Sequence, residues 1–228
     1  LYDYELDENC YKVRLLLAAL GVEHTKVAVD MYPGREEKKP ALLALSPAGS
    51  LPILVDGDLT LHGAEAVLLY LARRYDAAQQ WIPADPAGFG EMAMWLQFAA
   101  VDFFAAVAAR RASLFDAPPA EADPRHCLRI MDDHMTLREY DGLAWFAGDG
   151  PTLADIALFP STALSRDYGV EHEAYPALRR WMRKVRRLPG FHTMPGIPTI
   201  TDLAEIDSPY DILRHCELQT GCGPTRPE

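Results

Sequence analysis

A chain of 228 residues is long enough for one or two domains with a sizeable buried core. Its hydrophobic fraction of 49% and mean hydropathy of −0.10 describe a soluble globular protein. A formal net charge of −11 argues against nucleic acid and against anionic membrane surfaces, because binding phosphate needs a basic face.

The first four residues, Leu1-Tyr2-Asp3-Tyr4, have strand character. After a turn at Asp7-Glu8-Asn9-Cys10, the residues Val13, Leu16, Leu17 and Leu20 fall at i, i+3, i+4 and i+7, one stripe of a helix. Gly21 ends that helix as a C-cap residue. A second short strand covers residues 25–29, and residues 34–45 read as a loose helix. Turn residues at 46–50 precede an apolar strand beginning at Pro52; a proline there donates no ladder bond, so the position is edge-like or cis. Asp56-Gly57-Asp58 is a hairpin turn, residues 59–61 are the return strand, and Ala64, Val67, Leu68, Leu71 and Tyr75 form a further helical stripe. The polar residues 76–87, with Pro83 and Pro86, read as a linker.

Beyond the linker no strand pattern appears. Helices are expected at 87–111, 125–141, 152–166 and 174–188, with a break at residues 117–120. The apolar run 92–109 contains Gln97 and Asp102 and reads as a core helix rather than a bilayer span. The bases Arg179, Arg180, Arg183, Lys184, Arg186 and Arg187 surround Trp181 and Met182, and are expected to form a solvated face. From 189 onward proline and glycine recur, and Ser208-Pro209 can start one short helix in this tail. The organisation expected is therefore a small α/β domain at 1–76, an all-helical domain at 87–195 and a tail at 196–228.

Cys10, Cys127, Cys216 and Cys222 are dispersed and form no CxxC pair, which suits a reducing cytoplasm. No signal-peptide pattern is visible at the start. The seven histidines show no ligand spacing, so no metal site is expected.

Four pieces of the chain resemble the glutathione S-transferase superfamily. They are the opening strand with Asn9-Cys10-Tyr11-Lys12-Val13-Arg14, the loop Ser46-Pro47-Ala48-Gly49-Ser50-Leu51-Pro52-Ile53, the corner Leu61-His62-Gly63-Ala64-Glu65, and the segment Thr152-Leu153-Ala154-Asp155. The likeness runs from Leu1 to about Pro195. It implies a thioredoxin-like N-terminal domain, an α-helical C-terminal domain, a homodimer, and glutathione as co-substrate for a small organic molecule. It implies that Leu51 and Pro52 meet the cysteinyl backbone of glutathione. Gly63, Ala64 and Glu65 stand where the γ-glutamyl group is held, and Arg35 and Lys39 near the glycyl carboxylate. The helix carrying Phe103 and Phe104, together with Tyr11, is implied to form the substrate pocket, whereas by periodicity alone Phe103 and Phe104 are core.

Two positions depart from that pattern. The similar bacterial turn reads Ser-Gly-Asn, whereas this chain has Asp7-Glu8-Asn9. A serine hydroxyl donates to a thiolate, but an ionised aspartate only accepts, and its charge raises a neighbouring thiol's pKa. At the corner Gly63-Ala64 replaces an acidic residue or glutamine followed by serine. Asp7 is a favoured N-cap residue; the functional alternative is that Asp7 or Glu8 is a general base or binds a cationic group of a ligand, and Asn9 is a candidate amide donor. The chemistry expected is thiol addition, thioether cleavage or elimination in a specialised pathway. The competing reading is a catalytically silent protein of the same fold that serves as a binding partner.

Overall fold

The computed structural model describes residues 1–113 and 123–197. Strands β1 (Tyr2–Asp3), β2 (Val27–Ala28), β3 (Ile53–Asp56) and β4 (Leu59–His62) form one sheet in the order β2-β1-β3-β4. The β1–β2 pair is parallel, and the other two pairs are antiparallel. Helix α1 (Glu8–Leu20) connects β1 to β2, and α3 (Ala64–Tyr75) follows the β3–β4 hairpin. The loose helix expected at 34–45 is a 3-10 turn at Glu36–Lys38 and the short helix α2 (Pro40–Leu43).

Local chemistry sets the limits of α1. Asp7 caps its N-terminus by accepting from the Cys10 amide at 2.7 Å, and Gly21 ends it in the left-handed conformation (φ 65°). Arg14 is buried and reaches back to the preceding turn. It donates to Asp3 at 2.5 Å and to the carbonyls of Tyr4 and Glu5 at 3.3 and 2.9 Å. The turn that carries Asp7 is thus held by the helix it starts.

The other regular elements among the described residues are helices. Helix α4 (Pro86–Phe98) runs through a π-helical turn at Ala99–Phe103 into α5 (Phe104–Ser113); α6 (Pro124–Tyr140), α7 (Leu153–Ala163) and α8 (Pro176–Val185) follow. The stretch Pro86–Ala112 has the length and apolar composition of a membrane span. Its Met92, Trp95, Leu96, Ala99, Phe103, Ala106 and Val107 are buried in the core shared with α6 and α7. Asp102 is exposed. Helix α7 packs against both α1 and α8 and is buried throughout. Its capping box places Asp155 where it accepts from Thr152, Phe146 and Trp181. Burial pushes the Asp155 carboxyl up to about 6 in spite of those donors. The Ser208-Pro209 helix expected in the tail lies outside the described residues.

The expectation of a wholly solvated basic face on α8 is corrected. Arg179, Arg180 and Arg186 are buried, because α8 lies against α6 and α7 and the long side chains are covered. Arg180 forms a two-pronged pair with Glu139 of α6, with Nε and Nη2 at 3.0 and 2.5 Å.

Candidate active site

Two cavities meet at the β1–α1 turn. One is a groove of about 490 Å³ along the sheet edge, bordered by Tyr4, Asp7, Asn9, Tyr32, Arg35, Lys38, Leu51 and Phe104. The other, of about 540 Å³, lies between the turn and the helical part, and is bordered by Asp7, Glu8, Phe104, Arg111, Asp167 and Met194. Asp7 and Phe104 border both.

The sequence-selected residues divide between this junction and other places. Asp7, Asn9, Arg35, Leu51 and Phe104 come together at the groove. The Leu51–Pro52 peptide is cis, one of the two alternatives that the turn-then-strand pattern left open, and Pro52 is buried. Lys39 points away and pairs with Glu36 at 3.0 Å; its neighbour Lys38 borders the groove and donates to the Gly49 carbonyl at 2.6 Å. Arg35 adopts φ 50° and donates to Glu37 at 2.9 Å. Gly63 precedes α3 with φ 88°, a conformation open to glycine, and Ala64 is buried behind it. Neither supplies a side-chain donor. Glu65 is tied to the buried Lys12 at 3.0 Å.

Tyr11 and Phe103, expected at the substrate pocket, are core residues. Tyr11 is fully buried and donates to the His192 carbonyl at 2.5 Å, where the chain after α8 crosses α1. Phe103 is buried and stacks on Phe98, while Phe104, the next residue, is 41% exposed and faces both cavities. Cys10 is buried, its sulfur accepts from the Tyr4 amide at 3.4 Å, and burial with the nearby Asp7 charge pushes its thiol far up, so it is not a nucleophile.

The electrostatics of the junction are acidic. Burial, with the Glu8 charge adding to it, holds the Asp7 carboxyl above the usual range. Glu8 is buried, faces Arg111 at 3.4 and 3.5 Å and accepts from Ser161 at 3.1 Å. Arg111 also lies over the Tyr168 ring, 5.8 Å from its centre. Asp167, on the far wall, is likewise raised by burial. Arg111 and Ser161 escaped the sequence reading, since they reach Glu8 from positions more than 100 residues away, and Asp167 escaped it with them.

Comparison with known proteins decides the family. A model described as "Glutathione S-transferase, N-terminal domain" matches residues 1–79, and one described as "Glutathione S-transferase, C-terminal domain" matches residues 125–184. This chain belongs to the glutathione S-transferase superfamily. It is similar to glutathione S-transferase 3 of Zea mays, 28% identical over 214 residues, covering 87% of this chain and 94% of that protein. It is also similar to a maleylacetoacetate isomerase of Pseudomonas aeruginosa, 27% identical over 205 residues, covering 79% and 87%. Among solved structures, a possible glutathione S-transferase from Rhodopseudomonas palustris superposes with a TM-score of 0.73 at 28% identity, covering 86% of this chain and 97% of that one. Seen as a member of this superfamily, the chain keeps the thioredoxin-like sheet, the cis-proline loop and the helical domain. It carries an aspartate and a glutamate at the turn that opens both cavities.

Proposed function

We propose that this protein is a glutathione-dependent transferase or lyase whose thiol site is rebuilt around Asp7. The observation that carries the reading is the shared border: Asp7 and Phe104 line both the groove beside Leu51 and the second cavity. Glutathione in the groove would extend its main chain past Leu51, with Arg35 and Lys38 near its glycyl carboxylate and the α3 N-terminus at Gly63 near its γ-glutamyl carboxylate. Its sulfur would reach Asp7, and the second substrate would occupy the cavity beyond.

Asp7 suits proton transfer better than thiol activation. Its burial-raised carboxyl is poised closer to neutrality than an ordinary aspartate, and it accepts from the Cys10 amide. Elimination or thioether cleavage needs a base to take a proton next to the breaking C–S bond, and a carboxylate performs that step. The second cavity carries Asp7, Glu8 and Asp167 against Arg111, so it favours a neutral or hydrogen-bond-donating substrate with an apolar part for Phe104 over an anionic one.

The protein is further proposed to be a cytoplasmic homodimer. The buried free thiols Cys10 and Cys127 support a reducing compartment. The exposed apolar side chains Phe89, Met94 and Val101 on α4 and the turn after it support a subunit interface.

The test is a panel of glutathione thioethers and β-substituted acceptors assayed with wild type and Asp7→Asn. Turnover abolished in a folded Asp7→Asn protein supports the lyase reading. A second reading, a silent binding protein, is favoured by the missing hydroxyls at Asp7 and Ala64; it predicts no turnover on any member of the panel.

A further inference from the structure

The loop between β2 and the 3-10 turn carries Arg35 to the edge of the groove. That loop closes on itself. The Glu36 amide donates to the Asp30 carbonyl at 2.9 Å, and the Asp30 amide donates to the Glu36 carboxylate at 3.0 Å. Gly34 packs so closely inside it that an added Cβ would overlap the Asp30 carboxylate. Arg35 follows with φ 50°, in the left-handed region that few side chains other than glycine adopt. Strain of this kind persists where the surroundings over-determine it, and it gathers at ligand clamps.

Glu37 borders the same groove but is 4% exposed, and its Oε1 accepts from Arg35 Nε at 2.9 Å. Burying a carboxylate is unfavourable unless it is paired. Among the described residues Oε2 has no hydrogen-bond partner, so the bond to Arg35 is the one this carboxylate makes. Glu37 therefore ties down Arg35 and no wider network. Arg35 is the open half of the pair, its side chain 66% exposed, and among the described residues its Nη1 and Nη2 make no hydrogen bond. Lys38, the other base bordering the groove, is engaged with the Gly49 carbonyl at 2.6 Å. A guanidinium held at Nε keeps its two Nη groups as a planar fork that matches a carboxylate.

We propose that Glu37 is the positioning residue of the groove's anion site: it fixes Arg35 at Nε so that the Nη fork meets the glycyl carboxylate of glutathione. The inference rests on glutathione occupying the groove, and adds the residue that orients its anchor. The sign of the Glu37 charge makes the role testable. A carboxylate beside an anionic ligand repels it through space. Glu37 strengthens binding only through the geometry it gives Arg35.

The experiment is calorimetric titration of the full chain with glutathione and with its glycyl monoethyl ester, which lacks the glycyl charge. Wild type should bind glutathione about tenfold tighter than the ester, the worth of a charge-assisted hydrogen bond. Glu37→Met keeps the length of the side chain but not the acceptor, and should cut that preference to about twofold or less. Glu37→Gln keeps the acceptor and should hold the preference at about fivefold or more. Arg35→Gln should lose the preference as Glu37→Met does, and the double variant should lose no more than either, because the two residues act along one path. Should Glu37→Met fail to fold, Glu37→Asp, which keeps the charge but draws the acceptor back by one methylene, should also cut the preference. Tighter glutathione binding in both Glu37→Met and Glu37→Gln would make Glu37 a repelling charge and overturn the proposal. A wild type that binds acid and ester alike would overturn it too, while leaving glutathione in the groove. No saturable binding of either ligand would overturn occupancy of the groove, and the proposal with it.

Discussion

Replacing Asp7 by serine should acidify a glutathione thiol held in the groove. Asp7 borders the groove, and its ionised carboxylate has no proton to give. A thiolate at contact distance, roughly 4 Å away, is repelled by about 4 kcal/mol at an effective dielectric constant near 20. At 1.36 kcal/mol per pKa unit this is about 3 units above the free-thiol value of about 8.5. Serine removes the repulsion and adds a donor, worth about 1.5–3 kcal/mol to a charged acceptor. A drop of about 3 units or more is therefore expected. The cap survives, because serine accepts from the helix amides about as well as aspartate, and the Cys10 amide at 2.7 Å keeps a partner. Burial raises the Asp7 pKa, so the repulsion sets in as pH rises through that raised value; below it the neutral acid donates. The ultraviolet absorbance of bound thiolate, followed against pH in wild type and Asp7→Ser, measures the effect. The same thiol titration in both, with both folded and saturated by glutathione, would refute this electrostatic account of the turn.

Asp155→Ala should cost about 3–5 kcal/mol of unfolding free energy in urea melts, since it strips the acceptor from Thr152, Phe146 and the buried Trp181 indole at 2.8 Å. Gly190→Ala should cost about 2–4 kcal/mol, because φ is +73° and the added Cβ would stand 2.3 Å from the Ala18 carbonyl oxygen. The same change should raise KM for the second substrate, as the chain after residue 190 leads to Met194 and Gly196 in the cavity wall. His172 is buried beside Ser165, and burial lowers its pKa to about 4 from an ordinary 6.5. Between those values the unfolded chain binds the extra proton, so stability present above about pH 6.5 is lost as pH falls toward 4. The loss is of order 2–3 kcal/mol, read as the difference between wild-type and His172→Gln melts across that range.

Much of the fold was legible because its signals are local. The stripe from Val13 to Leu20, the glycine cap at Gly21, the proline at position 52 and the capping box at Thr152 each act within a few residues. The junction was legible in part. Asp7 and Asn9 were found at a strand–helix turn, and Leu51 because the loop before Pro52 resembles the family's cis-proline loop. Tyr11 and Phe103 were expected at the pocket from the family resemblance, whereas helical spacing alone makes Phe103 a core residue, and both are buried in the core. Phe103 and Phe104 are adjacent, the first closing the π-helical turn and buried, the second 41% exposed. Lys38 and Lys39 differ by one residue in a 3-10 turn, too short for a readable period. Arg111 and Ser161 were invisible because their partner, Glu8, lies in the other half of the chain. The basic stretch of α8 looked solvated because long aliphatic stems let a charged residue be mostly covered while its charge stays paired, as Arg180 is by Glu139.

The central claim, that glutathione occupies the groove beside Asp7 and Leu51, is tested most directly by calorimetric titration of the wild-type chain with glutathione and a repeat with Asp7→Ser. The account predicts one saturable site per chain, weak in wild type and tighter in the variant at neutral pH. No saturable binding in either protein, with both folded, would contradict it.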